Sequence, residues 1–152
     1  MTAHGVRLRA ATIDDAAFLR ELRNDGEVRL RSRSHGTVEE HAHLRWLMDT
    51  LSDPRRHLYV VEDLGEPVGQ LRLDVRETCA EVSIAVVASV RRRGIAGAAL
   101  RAADAKARQL GVSELLAFVQ PANEPSIRLF DRAGYRRTGE ADDLVELRHS
   151  IR

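Results

Sequence analysis

The residues of this sequence best suited to chemistry form a short basic, glycine-rich stretch, Val90-Arg91-Arg92-Arg93-Gly94-Ile95-Ala96-Gly97. The hydrophobic pattern on either side predicts a strand before it and a helix after it. Small residues at 94, 96 and 97 let a ligand approach the backbone closely. The first N–H groups of a helix have no partner inside it, and the helix dipole favours an anion there. The stretch therefore suits a pyrophosphate, although a helix that starts behind a solvated basic turn explains the same residues equally well.

Two other kinds of reactive side chain lead to no site. Cys79 is the only cysteine, which excludes an internal disulfide and fits a reducing compartment, and no His or Asn constellation points to it as a nucleophile. We expect an inert strand residue. His41 and His43 lie two residues apart on a predicted helix and point about 200° away from each other, so the pair cannot share one ion. No metal site is predicted.

The first half of the chain is predicted to contain one strand and two helices. Residues 6–10 alternate like a strand, and Thr12 and Asp15 begin and end a capping box that opens a helix ending near Arg23. A second capping box, from Thr37 to Glu40, opens the second helix, with a loop over residues 24–36 between the two. The apolar face of the second helix is expected to contain Leu44, Leu47, Met48 and Leu51.

The second half alternates strands and helices. Residues 57–64 and 68–75 are predicted to form a hairpin, and a third strand over residues 79–87 is expected to place polar Glu81 and Ser83 on one face with Ala85. A helix from the loop to about residue 110, a buried strand at 115–119, a helix at 125–133 and strands at 135–138 and 144–151 follow, with Gly111 and Gly134 ending the helices. This order predicts an α/β or α+β domain with a mixed sheet and helices on both faces.

Composition limits the kinds of partner. The 152 residues are 43% apolar, which is enough for one core, so we expect a single domain over residues 1–152. The formal charge of +1 gives no reason to expect nucleic acid or an anionic membrane as the main partner. No apolar run approaches the roughly 20 residues that span a bilayer, and the first residues lack the regions of a signal peptide. We expect a cytoplasmic protein.

The sequence resembles the GNAT superfamily of N-acetyltransferases, whose pyrophosphate loop has the pattern Q/R-x-x-G-x-G/A. Arg91, Gly94 and Ala96 match it. A second family feature, an Asn followed by a small residue, an aromatic residue and a Gly-aromatic pair, is matched by Asn123, Ser126, Phe130, Gly134 and Tyr135. The element order also agrees over residues 6–151. The resemblance implies a central mixed, mostly antiparallel sheet of about six to seven strands.

The resemblance also implies how acetyl-CoA is held. The acetyl donor would lie in a V between the strands ending at Val87 and Val119, which splay apart. The backbone of Ala85, Val86 and Val87 would bind the thioester and pantetheine, and that of Arg92, Arg93, Gly94, Ile95, Ala96 and Gly97 the pyrophosphate, beside Arg91. Asn123 would hold the pantetheine arm, with Ser126 and Phe130 nearby.

Acetyl transfer to an amine needs a base, because an amine is protonated at neutral pH and cannot attack in that form. Some members of the family carry a catalytic glutamate on the strand before the loop, and Glu81 is the residue here that corresponds to it; the alternative is a surface glutamate on a half-exposed strand. Many members also have a tyrosine that protonates the leaving thiolate where this chain has Phe130, which cannot donate a proton. We expect Tyr135 to be a packing residue.

The acceptor site is assigned to the two-helix region. Residues 22–31, followed by Glu39, Glu40, His41 and Trp46, resemble a segment of acetyltransferases that act on nucleotide-linked amino sugars, particularly those of the pseudaminic acid pathway. They resemble the ribosomal-protein N-terminal acetyltransferases less closely. We assign Asn24, His41 and Trp46 to the acceptor, and expect the other histidine at the surface.

These inferences lead to one main hypothesis and two alternatives. The main one is an enzyme that transfers an acetyl group from acetyl-CoA to a small-molecule primary amine, in a ternary complex and without metal. The alternatives are a protein N-terminal acetyltransferase and a CoA-binding sensor that has lost catalysis. We also expect an edge strand at the C-terminus that could pair across a homodimer, which the sequence does not establish.

Overall fold

The computed structural model of the protein describes residues 5–25, 36–91 and 93–151. These contain seven strands and four helices. The strands are β1 (Val6–Ala10), β2 (Arg56–Asp63), β3 (Glu66–Arg76), β4 (Cys79–Val86), β5 (Glu114–Val119), β6 (Arg136–Ala141) and β7 (Leu144–Ser150). The helices are α1 (Ala16–Asn24), α2 (Glu40–Ser52), α3 (Ile95–Gln109) and α4 (Glu124–Arg132), with short 3₁₀ turns at Ile13–Asp15 and Ala88–Val90.

The seven strands form one sheet in the order β1-β2-β3-β4-β5-β7-β6. Among the described strands, β4 and β5 are the parallel pair and every other neighbouring pair is antiparallel. A parallel pair needs a crossover connection, and here α3 supplies it. The predicted mixed, mostly antiparallel sheet of six to seven strands is confirmed. The C-terminal strand is not the edge strand that we expected, because β7 lies between β5 and β6.

Helices cover the sheet from both sides, as predicted. Ala99, Leu100 and Ala103 of α3 and Phe130 of α4 pack in a large core with the inward residues of the sheet, among them Leu71. On the opposite side, a smaller core brings α1 and α2 against β2, through Leu19, Leu47, Leu58 and Val60. Because neighbouring residues of a strand point to opposite faces, β2 serves both cores, with Tyr59 and Val61 in the large one and Leu58 and Val60 in the smaller one.

The start of α2 differs from the prediction. The capping box proposed at Thr37 does not form: the helix begins at Glu40, and the N-cap is Glu39, whose side chain accepts a hydrogen bond from the Ala42 N–H at 2.9 Å. The cause is a tertiary contact, since Asn24 binds both the N–H and the C=O of Val38 (2.7 and 3.0 Å). These bonds hold Val38 in place ahead of the helix, which starts two residues later.

The buried face of α2 also differs. His43, Leu47 and Thr50 are buried, whereas Met48 is 53% and Leu51 38% exposed. The buried positions follow the i, i+4, i+7 spacing of a helix that packs against β2 and α1. Strand β5 alternates rather than being buried throughout, because α3 and α4 cover only the face that carries Leu115.

No helix in the described part of the chain is long and apolar enough to cross a membrane.

Candidate active site

Strands β4 and β5 separate to form an opening in the middle of the sheet. Their parallel pairing extends from Cys79 opposite Glu114 to Glu81 opposite Leu116 and then ends. Strand β4 continues to Val86 beside β3, and β5 continues to Val119 beside β7. The two strands thus diverge over their last residues, which is the V that the resemblance implies.

The backbone groups that face this opening belong to alternate residues of β4. The Val87 N–H donates to the carbonyl oxygen of Val68 at 2.8 Å, so that residue is bonded toward β3. Because the bonds of an antiparallel pair alternate along a strand, Ala85 also faces β3, and Ile84 and Val86 face the opening. The Val86 carbonyl oxygen accepts a bond from Arg91, so the polar backbone groups available to a ligand are those of Ile84 and the N–H of Val86. Sequence reasoning missed Ile84.

A glycine on β3 permits this arrangement. A Cβ atom on Gly69 would lie 2.5 Å from the carbonyl oxygen of Ala85 and 3.0 Å from a methyl carbon of Val86. No real Cβ atom approaches a backbone oxygen so closely, so only glycine lets β3 follow the end of β4 at this distance. Gly69 sets the position of the strand that faces the opening.

The predicted pyrophosphate loop forms the start of α3. Gly94 is the N-cap with φ +80°, a left-handed conformation that favours glycine. The first bond of the helix runs from the Ala98 N–H to the Gly94 carbonyl oxygen at 3.1 Å, so the N–H groups of Ile95, Ala96 and Gly97 precede the ladder. The loop therefore presents backbone donors and the positive end of the helix dipole, as an anion site requires.

The side chains of this loop have different surroundings. Arg93 is exposed, Ala96 and Gly97 are half-buried, and Ile95 is 2% exposed and fixes the helix start in the core. Arg91 points back toward β4 and donates to the Val86 carbonyl oxygen. Arg92 lies outside the described residues.

The other arm of the V ends near Asn123. Asn123 caps α4, and its Oδ1 accepts from the Ser126 N–H at 3.3 Å. Phe130 is 4% exposed and its ring meets that of Tyr135 edge-on at 4.9 Å, so in this structure Phe130 belongs to the core. Burial raises the pKa of Tyr135 well above its usual value, which agrees with the prediction of a packing residue.

Glu81 lies on the polar face of β4, as predicted, at the point where the strands separate. Asp74 of β3 is directly opposite it, and Arg72 is opposite Ser83. Arg72 Nε lies 3.1 Å from Asp74, and Arg56 Nε lies 3.8 Å from the same carboxylate. This polar face is on the side of the sheet that α1 and α2 cover, so the structure brings the proposed base and the proposed acceptor wall together.

The acceptor residues on α2 are arranged differently from the prediction. Trp46 lies on this side, with the Arg72 guanidinium carbon 5.9 Å from its ring centroid. His41, assigned to the acceptor, is exposed, whereas His43 is 4% exposed and packs 5.2 Å from the Trp46 ring. The two histidines therefore have different surroundings, with His43 in the core and His41 facing solvent, because the buried face of α2 is rotated from the predicted one.

Asn24, also assigned to the acceptor, makes the two bonds to Val38 described above. It fixes the approach to α2 against the end of α1. Residues 26–35 of the predicted loop lie outside the described residues.

A cavity between α1 and the end of β4 contains residues that sequence reasoning missed. Val87 lies on one side of it, and Phe18, Glu21, Leu22 and Asp25 of α1 and its C-cap lie on the other. The spacing i, i+3, i+4, i+7 was visible in the sequence but is the same as that of a core-facing stripe. Only the position of α1 beside Val87 shows that these residues line a cleft.

The comparisons with known proteins agree with this geometry. The model of the acetyltransferase (GNAT) family matches residues 16–135. The fold is similar to that of the aminoglycoside acetyltransferase AAC(6')-Ib in complex with paromomycin and acetyl-CoA, with a TM-score of 0.84, 19% identity and coverage of 96% of this chain and 93% of that one. Spermidine N-acetyltransferase from Vibrio cholerae in complex with CoA and spermine gives a TM-score of 0.84 at 17% identity, over 95% and 93% of the chains.

An N-acetyltransferase from Staphylococcus aureus Mu50 is also similar, with a TM-score of 0.80 at 20% identity over 97% of this chain and 99% of that one. No curated protein sequence matches significantly. The resemblance to acetyltransferases of nucleotide-linked amino sugars gains no support from these comparisons.

Proposed function

Because the chain belongs to the GNAT family of acetyltransferases, we propose that it transfers an acetyl group from acetyl-CoA to a primary amine of a small molecule. The acceptor binds between α1, α2 and the polar face of β4. The observation that carries the proposal is that the open V and the donor groups at the start of α3 meet at the end of β4, and that the polar face with Glu81 belongs to the same strand.

The residues present fit acetyl-CoA, which supplies the acetyl group as a thioester. The N–H groups of Ile95, Ala96 and Gly97, with exposed Arg93, bind the pyrophosphate. Backbone groups of Ile84 and the N–H of Val86 bind the extended arm in the V, where a donor aimed at the thioester oxygen stabilises the charge that develops during attack. Asn123 contributes from the other arm of the V.

Glu81 removes a proton from the acceptor ammonium. A strand rises about 3.3 Å per residue, so Glu81 lies about 13 Å from Ala85 along β4. This distance is too long for direct contact with an amine at the end of the strand, and the proton passes through water along the face that carries Ser83. Phe130 cannot protonate the thiolate, which leaves with water as its proton source because thiols have pKa values near 8.5.

The acceptor class is tested with purified protein, acetyl-CoA and a panel of amines. Polyamines belong in the panel because Glu21 and Asp25 line the cleft, and nucleotide-linked amino sugars because of the segment at residues 22–31. Release of free thiol with a small amine supports the proposal. Activity restricted to peptides with free N-termini would assign the protein to N-terminal acetylation instead, and binding of acetyl-CoA without thiol release from any amine would assign it to CoA sensing.

A further inference from the structure

Arg91 joins two parts of the site that are distant in sequence. Its Nη2 donates to Asp25 Oδ1 at 3.1 Å and to the carbonyl oxygen of Val86 at 3.0 Å. An Nη2 group carries two hydrogens, so one nitrogen can make both bonds. Asp25 is the C-cap of α1, and Val86 is the last residue of β4.

This contact is partly shielded from solvent. The side chains of Arg91 and Asp25 are 21% and 32% exposed. A charge-assisted bond from a planar guanidinium is stronger and more directional than a neutral one, and partial burial limits its screening by salt. The contact is therefore suited to holding two elements at a fixed separation.

The two elements are the walls of the reaction site. Strand β4 carries the Ile84 and Val86 groups that face the V, and the end of α1 lines the cleft with Glu21 and Asp25 beside Val87. The adjacent residue, Asn24, fixes the same turn of α1 to the approach of α2 through Val38. The last turn of α1 is thus fixed on one side to α2 and on the other to β4.

We propose that Arg91 is a positioning residue for the acceptor. Its guanidinium holds the end of α1 at a fixed distance from the end of β4. The pattern of the loop assigns Arg91 to the cofactor, but in the structure its guanidinium is bonded to the Val86 carbonyl oxygen and, on the acceptor side, to Asp25. The pyrophosphate then depends on the N–H groups of residues 95–97 and on Arg93. This inference rests on the proposed function, because it concerns the acceptor cleft of that reaction.

The test compares the two substrates in steady-state kinetics, with acetyl-CoA affinity measured by calorimetry. Arg91→Ala and Asp25→Asn should each raise the acceptor KM about tenfold, equivalent to 1.4 kcal/mol, and change acetyl-CoA affinity less than twofold. Because both substitutions break the same contact, the double variant should be no worse than the worse single one. Arg91→Lys keeps the charge but lacks the planar fork, so it should recover part of the loss.

Two further variants serve as comparisons. Arg93→Ala, in the same loop, should have the opposite effect on the two substrates: acetyl-CoA should bind more weakly and the acceptor KM should not change. Arg7→Ala removes an ion pair between Arg7 of β1 and Glu62 of β2, outside the site, and should alter neither. Weakened acetyl-CoA binding by Arg91→Ala with an unchanged acceptor KM would overturn the proposal, as would additive effects of Arg91→Ala and Asp25→Asn.

A measurement without turnover separates this inference from the proposed function. Amide hydrogen exchange in residues 20–25 should accelerate in Arg91→Ala and Asp25→Asn, and not in Arg93→Ala, whether or not an acceptor has been found. If the wild type releases no thiol with any amine but the two variants show the faster exchange, the proposed acetyl transfer is wrong and the positioning role of the Arg91–Asp25 contact stands. Unchanged exchange in both variants would refute the role of the Arg91–Asp25 contact in holding the end of α1 against β4.

Discussion

Glu81 on β4 lies directly opposite Asp74 on β3, so two carboxylates share the polar face of the sheet. They differ in their surroundings. Arg72 and Arg56 both lie within 4 Å of Asp74, and Glu81 is at the last position where β4 pairs with β5. Glu81 therefore stands where the opening begins. At the other end of the cleft, Glu21 provides an independent comparison for the role of the base.

Replacing Glu81 by glutamine should reduce turnover about 10²–10⁴-fold at neutral pH, because the general base is lost. The loss should shrink at high pH, where the free amine is more abundant, and acetyl-CoA affinity should not change. Glu21→Gln is the matched variant and should act mainly on the acceptor KM. If Glu21→Gln shows the large, pH-dependent loss and Glu81→Gln does not, the two roles must be exchanged.

A charge placed at the start of α3 separates folding from cofactor binding. Ala96→Glu adds a carboxylate to the first turn, which stabilises a helix by about 0.3–1 kcal/mol but repels a pyrophosphate. We expect acetyl-CoA affinity to fall at least tenfold by calorimetry, with a melting temperature equal to or above that of the wild type. Ala105→Glu, at an exposed position of the same helix, controls for the change in net charge. Equal affinity in both variants would remove the helix start from the cofactor site.

Substitution of Gly69 tests how closely β3 must follow β4. In Gly69→Ala, the new methyl group must displace the carbonyl of Ala85, and overpacking of this kind costs about 1–3 kcal/mol. The melting temperature and the acetyl-CoA affinity should fall together, because the displaced strand carries the groups that face the V. Gly139→Ala, at a position with open space on β6, should leave both unchanged. A stable Gly69→Ala variant with wild-type affinity would contradict this account of the strand.

Local signals predicted most of the fold correctly. The capping box of Thr12 and Asp15 forms as expected, and Gly111 and Gly134 end their helices with φ +79° and +97°. These features depend on a few neighbouring residues, so the sequence contains all the information needed. The capping box at Thr37 failed because Asn24, 13 residues earlier, holds the backbone of the next residue.

The site was less accessible to prediction for a similar reason. The alternation of side chains along a strand correctly predicted that Glu81 lies on the polar face of β4. The loop pattern located the start of α3. Which backbone groups face the V depends on the pairing of Val87 with Val68, and the need for Gly69 depends on its distance from Ala85. Such contacts join separate elements, and no periodicity along one element reveals them.

The burial of His43 should make stability depend on pH. Burial lowers its pKa from the ordinary value of 6.5, and Arg20 and Arg23 lower it further. Below pH 6.5 the unfolded chain therefore binds more protons than the folded one, so the free energy of unfolding should fall as the pH drops from about 7 toward 5. His43→Gln should flatten this part of the profile in denaturant titrations, whereas exposed His41→Gln should keep it. A wild-type slope in His43→Gln would exclude His43 as the cause.

The separation of β4 from β5 has a further consequence for the protein without its ligand. Each strand ends in a row of backbone donors and acceptors that lack the partner a continuous sheet would supply. Such internal sheet edges can template the pairing of any extended chain. An extended pantetheine arm would fill this gap much as an added strand does, and would block intrusion by unfolded peptide. Cellular acetyl-CoA would then protect the enzyme from aggregation as well as supply its acetyl group.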